Sequence, residues 1–268
     1  MTAPLSVEVR MSRNSHARVF AFLLLLSAFV VACGSPQPPV EPAKPASPPK
    51  PVVDVKAVMH DQLSRVTTVQ EAVIRGDLEA VAEPATWIAN HEEAPMPAGT
   101  ATYAPNIKKT ARMAAGAKDL ASAATATAQL VAACGACHQA GNTPITWPAL
   151  TKPTEGTGIA THMLEHQWAI DLMYQGLAQP SDEAWRKGVE ALRAARLATN
   201  DLPKDAKLTK EIVAYEKKVH ELAGKALIVT DLGSKVAVYG EALASCASCH
   251  GLHGKVWGPG LPKTPAGQ

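Results

Sequence analysis

The stretch DLASAATATAQLVAACGACH at residues 119–138 recurs as DLGSKVAVYGEALASCASCH at residues 231–250. Both stretches begin with Asp-Leu, and each reaches its first cysteine fifteen residues after the aspartate. Alanine, leucine and valine recur between these points at helical spacing, and aspartate is favourable in an early helical turn. The two stretches form one duplicated unit, so we expect two related helical halves, each closed by this helix.

Each copy ends in Cys-x-x-Cys-His, first as Cys134-Gly135-Ala136-Cys137-His138 and then as Cys246-Ala247-Ser248-Cys249-His250. Two thiols three positions apart on a helical turn can form thioethers with the two vinyl groups of one haem, and the adjacent imidazole can bind the iron. The pattern therefore predicts two haem c groups. The predicted covalent attachment residues are Cys134, Cys137, Cys246 and Cys249, and the predicted proximal iron ligands are His138 and His250.

Two other interpretations use the same thiols. A zinc site would have to combine thiol pairs more than a hundred residues apart, and zinc does not require the histidine that follows each pair. A redox-active dithiol would need a βαβ context, and no strand pattern precedes either motif. Export of the chain would favour covalent haem over both alternatives.

The N-terminus indicates export. Residues 1–32 resemble a secretory signal peptide, because Arg10, Arg13 and Arg18 precede an apolar run that is too short to span a bilayer comfortably. Cys33 follows where a bacterial lipobox places a lipidated cysteine, so we expect it to carry a lipid anchor. An ordinary signal peptide with a chance cysteine is the alternative. No aspartate follows Cys33, which by analogy favours the outer over the inner membrane.

The segment after the lipid site is dense in proline. Residues 33–53 should therefore form an extended tether, because proline fixes the φ angle and lacks a backbone donor. Removal of residues 1–32 takes away three arginines and Glu8, which brings the formal net charge from +2 to zero. No basic patch indicates a nucleic-acid partner. We expect the mature chain in the bacterial periplasm, anchored to a membrane by its lipid.

The composition favours an all-α fold, since alanine is abundant, aromatic residues make up 4% of the chain, and β-branched runs are scarce after the N-terminus. Each half offers four helices with short connections, enough for a bundle. Met59-His60-Asp61-Gln62 and Met163-Leu164-Glu165-His166 open the first helices, Asp77 and Ser181 start the second, and the third helices are expected at residues 107–118 and 210–226. We predict two tandem four-helix-bundle domains, at residues 54–150 and 151–268.

The position of the motifs on the closing helices resembles class II c-type cytochromes, which comprise the cytochrome c prime type and its methionine-ligated relatives. Those proteins are four-helix bundles with the haem motif on the fourth helix and the sixth iron ligand, where present, on the first. A class I cytochrome c fits less well, because its methionine lies well downstream of the motif and only eighteen residues follow His250.

Met59 and Met163 share a register on the two first helices, and we predict them as distal iron ligands. The alternative is that each methionine only fills the core of its bundle. His166 is an alternative distal ligand at the second haem, because it lies one turn after Met163 on the same face. The first repeat has Gln62 at that position, which points back to methionine as the shared ligand.

The remaining histidines are expected to have lesser roles. His60 and His162 flank the methionines on another face and should lie at the surface or beside the ligands. His91, His220 and His253 have no counterpart in the other repeat, and we expect all three to be exposed.

The resemblance implies a membrane-tethered dihaem electron carrier rather than an enzyme, with periplasmic or membrane redox proteins as its partners. Histidine and methionine together would make each iron six-coordinate and raise its reduction potential relative to two histidines. If the methionines are only core residues, the irons are five-coordinate, and the protein would bind or sense nitric oxide or carbon monoxide. A dihaem peroxidase is disfavoured, because those enzymes resemble class I domains.

Overall fold

A computed structural model of the protein describes residues 54–91, 96, 99–142, 145, 147, 149–154 and 156–253. The predicted signal peptide, the lipidation site Cys33 and the proline-rich tether lie outside the described residues. Within the described part, the chain forms eight α-helices, two short 3-10 turns and no strand, which confirms the prediction of an all-α fold.

The helices fall into two series of four. The first series is α1 (Val55–Ile74), α2 (Leu78–Asn90), α3 (Ala104–Ala115) and α4 (Leu120–Ala140), and the second is α5 (Ile159–Ala178), α6 (Asp182–Ala194), α7 (Ala206–Ala226) and α8 (Leu232–His253). Helices α1 and α5 have 20 residues each, and α2 and α6 have 13 each. The matching lengths support the internal duplication. The halves differ at the third helix, which has 12 residues in α3 and 21 in α7.

Equivalent polar side chains start equivalent helices. Asp77 caps α2 and Ser181 caps α6, as expected, and each accepts a hydrogen bond from a backbone N–H of the first turn. Asp119 caps α4 by accepting from the N–H of Ser122, and Asp231 accepts in the same way at the start of α8. The duplicated Asp-Leu pairs therefore mark the beginning of each closing helix.

Some helix ends differ from the predicted positions. Helix α1 begins four residues before Met59, because Asp54 caps it by accepting from two backbone N–H groups. Helix α3 begins and ends three residues earlier than predicted, with Gly116 at its C-cap, and α7 begins at Ala206. Helix α5 likewise begins four residues before Met163, so both predicted methionine ligands lie in the second turn of their helices rather than at the opening.

Consecutive helices pack against each other in both halves, and the first helix of each half also contacts the last, in the pairs α1–α4 and α5–α8. The halves are themselves packed together, since α4 lies against α5 and α8, and α8 also lies against α1. Small residues allow α4 and α8 to approach closely. A Cβ atom at Gly240 would lie 3.5 Å from the Cβ of Ala128.

The hydrophobic core is continuous through both halves. One cluster of buried side chains includes residues from all eight helices, and the described residues belong to one compact unit. The division into domains at residues 54–150 and 151–268 therefore stays a prediction. Helix α4 is apolar and long enough to cross a membrane, with a mean hydropathy of 1.4, but 61% of the window is buried inside the protein, as in a core helix.

A buried polar network joins the two halves. The hydroxyl of Tyr239 on α8 donates to Oε1 of Gln70 on α1 at 2.6 Å, and Nε2 of Gln70 donates to Oδ1 of Asp171 on α5 at 3.2 Å. Gln167 donates to the same carboxylate oxygen at 2.8 Å. Because buried polar groups are costly unless paired, this network specifies how α1, α5 and α8 meet.

We predict that Tyr239→Phe lowers the free energy of unfolding by about 1–3 kcal/mol, because Oε1 of the buried Gln70 loses its donor. Urea unfolding followed by circular dichroism measures this change. Tyr103→Phe, at a half-buried position in a short turn, serves as the control and should be nearly neutral. Equal stability of the two variants would contradict a structural role for the network.

Candidate functional site

Both Cys-x-x-Cys-His motifs lie in the last turns of their helices, as predicted, on α4 and α8. The thiols of Cys134, Cys137, Cys246 and Cys249 are all free, and all are buried or half-buried. Helix formation therefore brings the two thiols of each motif and its histidine onto adjacent turns, as attachment of a single cofactor requires.

The motif histidines make equivalent hydrogen bonds. Nδ1 of His138 lies 2.9 Å from the carbonyl oxygen of Ala178, and Nδ1 of His250 lies 2.6 Å from that of Ile74. Because a carbonyl can only accept, Nδ1 is the protonated nitrogen in both rings. In a neutral imidazole the lone pair is then on Nε2. Metal-binding histidines in proteins are usually oriented in this way, by donating their other N–H to a carbonyl or carboxylate.

The partners of these hydrogen bonds belong to the opposite half. Ala178 is the last residue of α5, and Ile74 is the last residue of α1, the equivalent helix of the first half. Glycines permit both contacts. A Cβ atom on Gly135 would lie 2.0 Å from the carbonyl oxygen of Leu177, and one on Gly76 would lie 2.9 Å from that of Ala247. Each motif therefore packs against the end of the other half's first helix.

The second motif borders a cleft with an empty volume of about 700 Å³, between α5, α7 and α8. The lining includes Cys246, Cys249 and His250 from the motif, together with Met163 and His166 from α5. The fold therefore brings the predicted attachment residues, the predicted proximal ligand and both candidate distal ligands of the second haem to one cavity. Apolar side chains, among them Ile170, Ile212 and Val219, make up much of the remaining lining, and the polar side chains of Gln167, Glu216 and Ser245 also contribute.

The surroundings of the first motif are defined less fully. Met59 is half-buried on α1, which packs against α4, and its assignment as a distal ligand stays a prediction. Tyr174 of α5 is buried near Cys134, and Trp147 from the segment between the halves packs edge-on against Tyr174 at 5.7 Å. The first motif thus also lies close to a residue of the other half, Tyr174.

Burial keeps the motif thiols protonated. It raises the pKa of Cys134 and of Cys246 to about 12, with the charge of the second thiol of each motif acting in the same direction. Burial likewise raises the pKa of Cys249 to about 11. Redox-active dithiols have lowered pKa values, because the thiolate is the nucleophile. The raised pKa values of these thiols therefore do not match that chemistry.

Neither alternative to haem gains support from the arrangement of the helices. The four motif thiols do not form a group of metal ligands among the residues that the structure describes. A thioredoxin-like dithiol would require β-strands beside it, and the part of the chain that the structure describes contains no strand.

A cluster of three histidines and one glutamate lies between α5 and α7. Nε2 of His162 is 3.1 Å from a carboxylate oxygen of Glu216, and Nε2 of His220 is 3.0 Å from Oε1 of the same residue. Nε2 of His166 is 3.8 Å from Oε1, beyond hydrogen-bonding distance. Within the described residues, Nε2 of His166 and Nδ1 of His162 are buried without a hydrogen-bond partner.

The cluster combines a charged carboxylate with neutral imidazole. Burial, and next the charge of His162, lower the pKa of His166 to about 3. Burial alone would raise the pKa of Glu216, but the hydrogen bond from His162 and the charges of the histidines bring it to about 2. At neutral pH, Glu216 is therefore an anion held inside the protein by imidazole N–H donors.

The sequence did not predict this cluster, and one prediction about its histidines was wrong. His162 was expected at the surface or beside the ligands; its side chain is 3% exposed, which excludes the surface position, and its ring lies 4.1 Å from that of His166. His220 was expected to be exposed, but it is half-buried against the same carboxylate. His162 and His166 are four residues apart, and so are Glu216 and His220, so each pair lies on one face of its helix. This spacing is the sequence signal from which the cluster could have been predicted.

The other histidines have varied positions. His60 is exposed on α1, in agreement with a surface position. His91 is half-buried rather than exposed, because its ring stacks on Trp87 with 4.1 Å between the centroids. The side chain of His253 lies outside the described residues.

No protein-family model, curated protein or solved structure matches this chain.

The carboxyl group of Asp171 links the cleft to the interior network, since Gln167 both lines the cleft and donates to this carboxylate. Burial raises the pKa of Asp171 to about 6, against the opposing effect of that hydrogen bond. The folded protein therefore retains a proton on Asp171 at pH values where this carboxyl group, with its ordinary pKa of 3.8, has released it in the unfolded chain.

We predict that Asp171 lowers the free energy of unfolding by up to roughly 3 kcal/mol as pH rises from about 4 to about 6, because its carboxyl group binds more protons in the folded than in the unfolded chain in this window. The lowered pKa of His166 has the opposite sign and makes stability rise with pH between about 3 and 6.5, and the lowered pKa of Glu216 costs stability only below about pH 4.5. The contribution of Asp171 is therefore the difference between the wild type and Asp171→Asn, and urea unfolding of both proteins at successive pH values measures it.

Asp61→Asn provides the control, because Asp61 is exposed on α1 and should leave the pH profile unchanged. Parallel pH profiles of the wild type and Asp171→Asn between pH 4 and pH 6 would contradict the assignment to Asp171.

Proposed function

We propose that this chain is a membrane-tethered dihaem c-type cytochrome that transfers electrons between periplasmic or membrane redox partners. The observation that carries the proposal is the pair of equivalent hydrogen bonds from Nδ1 of His138 and of His250 to helix-end carbonyls. This orientation suits an iron ligand, because the hydrogen bond directs the lone pair to Nε2.

The motif residues fit a covalently held porphyrin. Each thiol would add across one vinyl group, so that a sulfur–carbon bond forms and the thiol hydrogen ends on the neighbouring vinyl carbon, with no change of redox state. Cys134 and Cys137 would hold the first haem, and Cys246 and Cys249 the second.

The cleft at the second motif supports a binding role for the residues around it. Its lining is mostly apolar, as in most small-molecule and cofactor sites. Bound haem iron supplies reversible one-electron chemistry between its ferric and ferrous states. The apolar side chains would exclude water, and Met163 would provide the distal ligand from α5.

The fold proposed for each half is the four-helix bundle of class II cytochromes. The packing of consecutive helices and of the first helix against the last supports it in both halves. The predicted ligands also occupy the expected elements, with the motifs on α4 and α8 and the methionines on α1 and α5. Periplasmic location and lipid anchoring through Cys33 are part of the proposal.

We predict two haem groups on each exported chain, counted by intact mass and by the spectrum of the pyridine complex. The double variant Cys134→Ala/Cys137→Ala should retain one haem, and so should Cys246→Ala/Cys249→Ala, because each motif attaches its own cofactor. Cys33→Ala is the matched control: it should lose the lipid and keep both haems. Exported wild-type protein without bound tetrapyrrole would refute the proposed function.

Methionine ligation of ferric haem gives a weak far-red absorption band, and we predict this band in the oxidised wild-type protein. Met59→Ala and Met163→Ala should each remove part of it, because each removes one distal ligand. Met113→Ala, at an exposed position on α3, should leave it intact. A wild-type protein that lacks the band and readily binds carbon monoxide would instead favour a five-coordinate, gas-binding protein.

A further inference from the structure

We propose that His162, His166 and Glu216 form a binding site for one divalent transition-metal ion, separate from the two haem irons. One ligand atom from each of these residues lies within 4.8 Å of the others. A tetrahedral metal ion at about 2.0–2.2 Å from each donor holds its ligand atoms about 3.3–3.6 Å apart, so small movements of these side chains would close the site on the ion. Two imidazoles with one carboxylate make a donor set suited to ions such as zinc.

The way the helices present these donors also fits a metal ion. His162 and His166 are four residues apart on α5, so both lie on one face of that helix. Glu216 and His220 have the same spacing on α7. Metal sites inside helix bundles are commonly built in this way, from side chains of facing helices that project inward.

Within the part of the chain that the structure describes, hydrogen bonding in the cluster leaves a buried ring nitrogen without a partner, and a metal ion could bind it. His162 and His220 satisfy the carboxylate of Glu216, but Nε2 of His166 is buried at 3.8 Å from it without a partner in the described residues. A purely structural network would leave this nitrogen unpaired, at the desolvation cost of a buried polar atom. A metal ion would bind this lone pair, and Nε2 of His162 would bind the same ion once the ring proton has moved from Nε2 to Nδ1, so that the imidazole stays neutral.

His220 has a supporting role in the proposed site. Its Nε2 is 3.0 Å from Oε1 of Glu216, so it can hold the carboxylate in place while the other carboxylate oxygen binds the metal. Assignment of His166 to this metal leaves Met163 as the α5 ligand for the second haem iron. The first half has Val58 and Gln62 where the second has His162 and His166, so the site belongs to the second half alone.

Zinc binding by the haem-loaded protein tests the site. We expect one Zn²⁺ per chain by titration calorimetry and elemental analysis, with at least a tenfold loss of affinity in Glu216→Gln and in His166→Ala. Glu165→Gln, one residue before His166 on the same helix, is the matched control and should bind zinc like the wild type. Equal affinity of the wild type and Glu216→Gln would overturn the proposal.

Crystals soaked in zinc provide a second measurement that does not depend on the variants folding. Anomalous differences collected on both sides of the zinc absorption edge distinguish zinc from haem iron, and we expect one peak about 2.0–2.1 Å from a ring nitrogen of His166. No such peak would overturn the proposal, and so would zinc uptake that displaces an axial ligand from haem. Haem content is measured on the same samples, so that a lack of zinc binding can be told apart from a lack of haem.

Discussion

The hydrogen bond from each motif histidine to the carbonyl that ends a first helix is the constraint on which the site depends. The last four carbonyls of a helix have no intrahelical donor, and they form the negative end of its dipole. An imidazole N–H placed there satisfies an acceptor that would otherwise need water. In return the carbonyl fixes the ring and directs its lone pair through Nε2, as a metal ligand needs.

This constraint also ties the two halves together, because His138 is held by Ala178 and His250 by Ile74. The contact requires the motif helix to lie against the end of another helix, and Gly135 is the residue that permits it at the first motif. The continuous core and the buried hydrogen bond between Tyr239 and Gln70 also join the two halves. Loss of one half would therefore deprive the other half's histidine of its acceptor.

The two halves share a plan but differ in what surrounds their motifs. Helix α7 is longer than α3 and carries Glu216 into the cleft beside the second motif. Together with His162 and His166, this residue gives the second half a buried charged cluster. Duplication accounts for the equivalent helices, whereas the first half has Val58 and Gln62 in place of the two histidines, so the two halves need not have identical chemistry.

Much of the fold and part of the site could be predicted from the sequence, because they depend on local physics. The aspartates that cap α4 and α8 and the spacing of the motif residues act within a few residues of one another. Helical periodicity also identified the apolar faces of α1 and α5, on which Val73 and Met173 are fully buried. Periodicity identifies which face of a helix is buried, but it does not identify the helix that covers it.

The tertiary structure alone decided which helices meet. The approach of α4 to the end of α5, the shared core and the burial of His162 against Glu216 all join residues far apart in the chain. From the sequence, His162 was expected at the surface or beside the ligands and His220 was expected to be exposed, because each was considered on its own helix. Only packing brings α5 and α7 together, and a charge that would be costly to bury alone is then stabilised by its partners.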